Sequence, residues 1–261
     1  MQADELDRFT LHSLRTLPEG LADLVGRHLA AAARLLADDP TEALAHTRAA
    51  ARKAGRVAVV REAVGVAAYA TGDFATALSE LRAAARISGS AEYLPMMADC
   101  ERGLGRPERA LALAASPEVA RLDRDGKVEM LIVAAGARRD QGQPDAAVLT
   151  LQVPALRARS GGAWQARLRY AYADALLAAG RGGEAREWFG RAAEVDPEGE
   201  TDAVERLDEL DGLTFEELEE VADDGHAPDS DSHGTDRAPE FIDGELSRPD
   251  SRPTEAVDLD E

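Results

Sequence analysis

The sequence is poor in the residues that build disulfides, glycosylation sites and zinc sites. It has one cysteine and no asparagine, so it forms no disulfide within the chain and has no N-glycosylation sequon. The five histidines are scattered, and no two of them have the spacing of a metal-binding HExxH helix. Together with the single cysteine, this argues against a zinc site. We therefore expect no metal and no cofactor.

The chain also lacks the long apolar runs that membranes require. Its start, MQADELDRFTLHSLRT, has neither the basic beginning nor the apolar core of a signal peptide. No segment approaches the roughly 18 unbroken apolar residues of a membrane-spanning helix. These absences predict a cytoplasmic protein with no membrane partner.

Positive charge is scarce and unevenly distributed. The chain has 50 acidic and 30 basic residues, a net charge of −20. Residues 211–261 hold 18 of the acids and 3 of the bases, whereas residues 1–210 carry a net charge of only −5. Nucleic acids and anionic membranes attract basic surfaces, so we expect neither as a partner. The acidic tail, 211–261, is predicted to be largely disordered, because it has few apolar side chains to bury.

Alanine and leucine are abundant instead, and both favour helices. Five helix pairs are predicted, with turns that lie 34, 33, 37 and 38 residues apart. The turn positions are Asp38, Gly72, Gly105, Gly142 and Gly180. Five residues after each turn stands an alanine, and seven residues before it stands an alanine or a glycine. Small side chains in register predict that the helices approach closely and that neighbouring pairs stack.

This pattern resembles the tetratricopeptide repeat (TPR) family, and it also resembles TPR proteins of actinobacteria. The residues that match in the fifth pair are Ala173, Gly180, Ala185, Phe189, Ala192 and Pro197. The resemblance implies an all-α fold, a right-handed α-solenoid over residues 18–210, preceded by a helical extension over 1–17. The third and fourth pairs depart from the family pattern, because their second helices are expected to stop at Pro117 and Pro154.

Short helices are predicted at both ends of this repeat region. In the extension, an amphipathic helix is expected to carry Leu6, Phe9 and Leu14. At the other end, residues 199–210 are predicted to form a capping helix, with Asp202 and Glu205 as a capping box. The side chains expected to cover the last pair are Ala203, Val204, Leu207 and Leu210.

Motifs for catalysis are not found, and we expect no enzyme activity. The glycine-rich stretches RGLGRPE and AGRGGEA follow no predicted strand and lack the Lys-Ser/Thr ending of a phosphate-binding loop. They are predicted to be turns between helices. Cys100 is expected to be a small buried thiol, because no base or electropositive pocket is indicated beside it.

In the TPR family the first helix of each pair lines a concave groove that holds peptides or helices. The resemblance places these residues there: His28, Glu62, Tyr69, Asp99, Arg102, Glu129, Arg139, Arg167, Tyr170 and Asp174. Because arginine binds carboxylates through two parallel hydrogen bonds and tyrosine offers an aromatic body with a polar tip, Arg102, Arg139, Arg167 and Tyr170 are the main contact candidates. The same residues also fit ordinary solvated faces or pairs within one helix. The family's carboxylate clamp uses Asn and Lys where this chain has Asp99 and Asp174, so binding of chaperone tails is not expected.

The resemblance favours a noncatalytic scaffold that binds a protein or peptide in this groove. One alternative is a regulatory sensor that gates a transcription or signalling partner, with the acidic tail competing for the groove arginines. Another is an assembly factor or accessory subunit of an enzyme or ribosomal complex, which would need a basic patch. The sequence identifies neither the partner nor the oligomeric state.

Overall fold

Helices joined by short turns make up the part of the chain that the structure describes. The structure is a computed structural model that describes residues 6–158 and 163–212, all within the unit Met1–Glu217. The α-helices in these two ranges are α1 (Arg8–Leu14), α2 (Glu19–Leu35), α3 (Pro40–Ala54), α4 (Ala58–Ala70), α5 (Phe74–Ser88), α6 (Leu94–Gly103), α7 (Pro107–Ala114), α8 (Arg124–Asp140), α9 (Pro144–Leu151), α10 (Ala163–Ala178), α11 (Gly182–Ala193) and α12 (Ala203–Asp211). The same ranges contain no strand, so the all-α prediction is confirmed. The predicted disorder of the acidic tail falls almost wholly outside the described residues, which end at Gly212.

Ten of these helices form the five predicted pairs: α2/α3, α4/α5, α6/α7, α8/α9 and α10/α11. We call the earlier member of each pair a first helix and the later member a second helix. Each second helix also packs against the next helix along the chain, and α11 packs against α12. The extensive contacts between described helices join elements at most three positions apart in chain order.

Four of the five pairs turn in the same way. A glycine follows the first helix with a φ of 70° to 75°, at Gly72, Gly105, Gly142 and Gly180. The residue after each glycine donates its N–H to the carbonyl five residues earlier at 2.9 Å, as from Arg106 to Glu101. This is the 6→1 bond of a Schellman motif, in which glycine avoids the steric cost of a left-handed backbone. The predicted turns in both glycine-rich stretches are therefore confirmed.

The small residues in register lie at the helix contacts. All ten of them are buried, and the five alanines that follow the turns have no exposed surface. Gly65 shows why size matters here, because a Cβ at this position would lie 2.8 Å from Cγ of Leu81. That distance is below van der Waals contact, so α4 and α5 approach more closely than any larger residue would allow.

The buried apolar side chains form three clusters that follow the chain. The first extends from Leu14 of α1 to Val60 of α4, and the second extends from Ala32 of α2 to Ala137 of α8 and includes Leu81. The third joins α8 to α12 around Phe189, which is fully buried. Burial of apolar surface along the whole described chain is the main force that holds the pairs together.

The two prolines named in the sequence do shorten their helices. Both α7 and α9 are only eight residues long. Each is followed by a short 3-10 helix that begins at the proline, Pro117–Arg121 and Pro154–Arg157. Because proline has no N–H and its ring clashes with the preceding turn, it stops the α-helical hydrogen-bond pattern there.

The prediction for the N-terminal helix is wrong in one residue. Leu14 is buried and Leu6 packs against the first cluster, but Phe9 is 66% exposed. Helix α1 has only seven residues and begins at an Asp7 cap. Phe9 and Leu14 are five residues apart, about 140° around a helix, so they do not share one face.

The capping box predicted for α12 is also wrong. The side chain of Asp202 makes no hydrogen bond to the start of α12; its carboxylate interacts with the hydroxyl of Tyr170 instead. Ala203 and Leu207 pack against the third cluster, as expected. Val204, however, is 54% exposed, because it lies about 100° around the helix from Ala203. Leu210, in the last turn, is 36% exposed.

Candidate functional site: a groove along the first helices

Two depressions join into one groove that crosses the first helices. The N-terminal lobe, of about 480 Å³, is lined by Tyr69, Glu92, Pro95, Met96, Asp99, Arg102, Gly126, Glu129, Ile132 and Val133. The C-terminal lobe, of about 430 Å³, is lined by Arg102, Glu129, Ile132, Ala135, Gly136, Arg139, Arg167, Tyr170, Ala171, Asp174, Glu200, Thr201 and Asp202. Arg102, Glu129 and Ile132 line both lobes, so we treat the two as a single charged groove.

Arg102 is the central link between α6 and α8. Its Nη1 lies 2.7 Å from Asp99 on α6, and its Nε lies 2.8 Å from Asp140 at the end of α8. A further hydrogen bond from Nη2 to Asp140, at 3.3 Å, makes that contact bidentate. Asp99 also accepts a hydrogen bond from the hydroxyl of Tyr69 on α4. One guanidinium and one carboxylate thus connect three successive first helices.

Gly136 makes the Arg102 bridge possible. It lies within α8, one helical turn before Asp140, and a Cβ at this position would lie 2.4 Å from Cζ of Arg102. The guanidinium therefore rests directly on the backbone of α8 as it reaches Asp140. Glycine inside a helix lowers stability by about 0.5–1 kcal/mol relative to alanine. At this position glycine allows Arg102 to approach the backbone of α8 closely.

The C-terminal lobe contains a second set of links. Arg139 on α8 forms an ion pair with Asp174 on α10. Arg167 on α10 lies 2.8 Å from Glu129 on α8, and 4.0 Å from Glu200 in the segment before α12. These pairs connect α8, α10 and the segment before α12 in the same direction as the Arg102 bridge connects α6 and α8.

Tyr170 fixes the floor of the C-terminal lobe. Its ring packs edge-on against Phe189, with the ring centroids 5.3 Å apart. Its hydroxyl interacts with the carboxylate of Asp202 just before α12. Burial and this interaction raise the pKa of the Tyr170 hydroxyl above its ordinary value, so the group is neutral at physiological pH and can donate a hydrogen bond.

Burial also changes the acid–base properties of the groove. Burial and the hydrogen bond to Asp99 raise the pKa of the Tyr69 hydroxyl above its ordinary value. The pKa of Glu129 is raised as well, first by burial, while Arg167 opposes the shift and Asp125 and Asp99 add to it. Glu129 therefore lies where negative charge is unfavourable in the unliganded protein.

The structure brings together eight of the ten residues put forward from the sequence. Those that line the groove are Tyr69, Asp99, Arg102, Glu129, Arg139, Arg167, Tyr170 and Asp174. Glu62 does not; it accepts a hydrogen bond from Tyr93 at 3.1 Å and lines a separate depression with Leu6 and Thr10. Its position follows from helix geometry, because it lies two turns before Tyr69 on α4, about 10 Å along the axis. The N-terminal helix α1 borders this other depression and neither lobe of the groove.

His28 lies apart from both lobes as well. Its Nδ1 is 3.0 Å from Nδ1 of His46, a hydrogen bond that joins α2 to α3. One ring must donate and the other accept, so at most one of these two nitrogens carries a proton. The pair stabilises the first helix pair rather than the groove.

Several groove residues were not foreseen from the sequence. Asp140, beside the groove, is the last residue of α8, and Glu92, Glu200 and Asp202 lie in connections between helices. Gly136 carried a usable signal, because it is a glycine within a helix, away from any turn, and one turn before an aspartate. The apolar lining by Met96 and Ile132 follows the same helix faces but needed the three-dimensional structure to locate.

Cys100 is fully buried and is not suited to nucleophilic chemistry. Burial, with the charges of Asp99 and Glu101, raises the pKa of its thiol to about 12. A thiol with such a pKa is almost entirely protonated at neutral pH and reacts slowly. The prediction of a buried thiol is confirmed.

Over residues 6–158 and 163–212, no three His, Cys, Asp or Glu side chains come together as they would around a metal ion. None of the helices in these ranges combines the length and the apolar character needed to cross a bilayer.

Comparison with known proteins gives no further guide to this groove. No protein-family model matches the chain, and a search of curated proteins also found no match.

Proposed function

We propose that this protein is a noncatalytic scaffold of the TPR type, a right-handed α-solenoid that binds a protein or peptide in the charged groove. The observation that supports this most is the continuity of the two lobes across α4, α6, α8 and α10. A groove that crosses successive helices at one face offers an extended surface, which suits a chain segment better than a small metabolite.

The groove combines the two features that peptide binding needs. Its polar side chains are held in place by hydrogen bonds and ion pairs between helices, so little side-chain entropy is lost when a ligand binds. Met96 and Ile132 supply apolar surface between these polar groups. Aromatic and arginine residues often dominate binding energy, and Tyr69, Tyr170 and the three arginines are the groups of that kind in the groove.

The repeated turns and neighbour-to-neighbour packing support the solenoid part of the proposal. Four turns share one backbone geometry, and each second helix packs on the helix that follows it. A chain built in this way extends by adding equivalent units. The short α7 and α9 introduce local departures from regularity without interrupting the sequence of pairs.

The two alternatives stay open as hypotheses, and no described contact favours either of them. A regulatory role in which the acidic tail competes for Arg102, Arg139 and Arg167 would require tail carboxylates to displace the acids that already hold these side chains. A role as an assembly factor for an enzyme or ribosomal complex needs a basic patch, and the groove does not provide one.

A crosslinking pull-down from native lysate with three versions of the full chain tests the proposal. The first is the unchanged protein, and the second fills both lobes with bulk through Met96→Trp and Ala171→Trp. The third is a control, Leu149→Trp, at a position on α9 that is 69% exposed and lines neither lobe. We expect partners recovered by the first and third versions to be lost by the second. Equal recovery by all three would place binding outside the groove and refute the proposal.

A further inference from the structure

The charge balance of the groove indicates what kind of segment it accepts. The lining contains three arginines and six acidic side chains, a net charge of −3. The arginines are Arg102, Arg139 and Arg167, and the acids are Glu92, Asp99, Glu129, Asp174, Glu200 and Asp202. Asp140, which holds Arg102 from the end of α8, adds a further negative charge beside the groove.

The arginines are not available to an anionic ligand. Arg102 is shared between Asp99 and Asp140, and each of the other two groove arginines has a carboxylate partner on a neighbouring helix. More than half of the Arg102 side chain is buried, with 27% exposed. An incoming carboxylate or phosphate would have to break one of these pairs and would also meet the surplus of acids, so the field of the groove opposes it.

The acidic surplus is greatest in the N-terminal lobe. There Glu92, Asp99 and Glu129 line the lobe with a single arginine, Arg102, and Arg167 reaches Glu129 from the C-terminal lobe. Glu92 forms no ion pair with any described residue. Burial is the main cause of the raised pKa of Glu129; Asp125 and Asp99 add to it, whereas Arg167 opposes it.

The walls of this lobe suit the stem of a long basic side chain. Tyr69, Met96, Ile132 and Val133 give it aromatic and aliphatic surface, and its volume is about 480 Å³. Lysine and arginine pack their methylene stems on such surfaces while the charged head reaches a polar group. A head group lying against Tyr69 would also gain from the face of the ring.

We propose that the N-terminal lobe binds a lysine or arginine side chain of a partner peptide, with Glu92 as a carboxylate partner and Glu129 as a second one, which it shares with Arg167. This inference rests on the proposed scaffold function and narrows the partner to a basic segment. The protein's own residues 213–261 are strongly acidic, so the same charge argument disfavours them as the occupant. Nucleic acids are excluded too, because their phosphates are anionic.

A random 12-residue peptide library displayed on phage and selected on the full chain tests this inference. We expect lysine and arginine to be enriched over the unselected library. The best peptides, synthesised with a fluorophore, would then be measured by fluorescence anisotropy against the full chain. Replacing the key lysine or arginine by glutamine in the peptide is expected to weaken binding roughly fivefold or more, as loss of a partly exposed charge pair costs about 1 kcal/mol. This comparison needs no protein variant and so does not depend on how well one folds.

A charge-neutral protein variant gives the matching half of the test. Glu129→Gln is expected to weaken the basic peptides by a similar factor, and the difference should shrink as salt is raised. Glu108→Gln is the control, since it removes the same charge from an exposed position on α7 that lines neither lobe.

The outcomes separate this inference from the proposed function. The selection could yield neutral or acidic peptides that no longer bind the Met96→Trp, Ala171→Trp protein. That result would support the proposed scaffold function and overturn the proposal of a basic partner. Basic peptides that bind equally to the unchanged protein and to Glu129→Gln would overturn the assignment to the N-terminal lobe. Failure to select any peptide that depends on the groove would overturn both proposals.

Discussion

The contact between Arg102 and Gly136 allows a test with a double mutant. The change in stability caused by Gly136→Ala should have a different sign depending on whether Arg102 is present. The higher helix propensity of alanine, taken by itself, would make Gly136→Ala stabilise the protein by about 0.5–1 kcal/mol. The new Cβ, however, would occupy the place of the Arg102 guanidinium, 2.4 Å from Cζ. The side chain must move, and its bidentate contact with Asp140 is lost, at a cost of up to about 1 kcal/mol for a partly exposed pair. We expect the single substitution to be neutral or slightly destabilising.

In an Arg102→Ala background the obstruction is absent, and Gly136→Ala should stabilise the protein by about 0.5–1 kcal/mol. The two substitutions therefore couple by roughly 1 kcal/mol in a double-mutant cycle. The measurement is urea unfolding of the full chain followed by circular dichroism, with the m-value checked to be unchanged.

A control substitution isolates the propensity effect in the same experiment. Gly190→Ala on α11 meets no atom within 4 Å, so it should stabilise the protein in both backgrounds. If Gly136→Ala gives the same gain with and without Arg102, the guanidinium does not rest on α8, and the argument for a preorganised groove fails with it.

Three further predictions concern the core, pH and the thiol. Phe189→Ala should cost about 3–5 kcal/mol in urea unfolding, whereas Phe9→Ala, at a site 66% exposed, should change stability by less than about 0.5 kcal/mol. Burial and the neighbouring His46 lower the pKa of His28 from 6.5, so the unfolded chain takes up the proton at a higher pH than the folded chain. The contribution of His28 to stability should therefore be full above pH 6.5 and decline as the pH falls below it. His28→Gln should flatten this decline in thermal melts. Cys100 should stay unreactive toward Ellman's reagent at pH 8 in the folded protein and react fully in urea; fast labelling of the folded protein would contradict its burial.

The helix pairs were predictable because their signals are local. These signals are the turn glycines, the small residues at fixed offsets and the prolines that stop helices. Each of them determines structure within a few residues of its own position, and the structure contains the predicted feature in each case. One error occurred where a side chain has two possible partners. Asp202 is in a suitable position to cap α12, but its carboxylate interacts with the hydroxyl of Tyr170, 32 residues earlier in the sequence.

The groove was predictable in its residues and not in its electrostatics. The resemblance to the TPR pattern placed eight of the ten candidates on one surface, since residues on equivalent helix faces align when pairs stack. The sequence presented Arg102, Arg139 and Arg167 as anchors for a carboxylate. It could not show that Asp140 and Glu129 approach them, because such contacts depend on how far one helix is displaced along the next.

The packing of each helix against its near neighbours has a kinetic consequence. The extensive contacts between described helices span at most three elements, so most of the native structure forms by closing short loops. Proteins rich in such local contacts fold quickly, in microseconds to milliseconds. We therefore expect an early pair to acquire its structure while later pairs are still being synthesised, so that apolar faces such as that of α4 are exposed only until the next helix arrives.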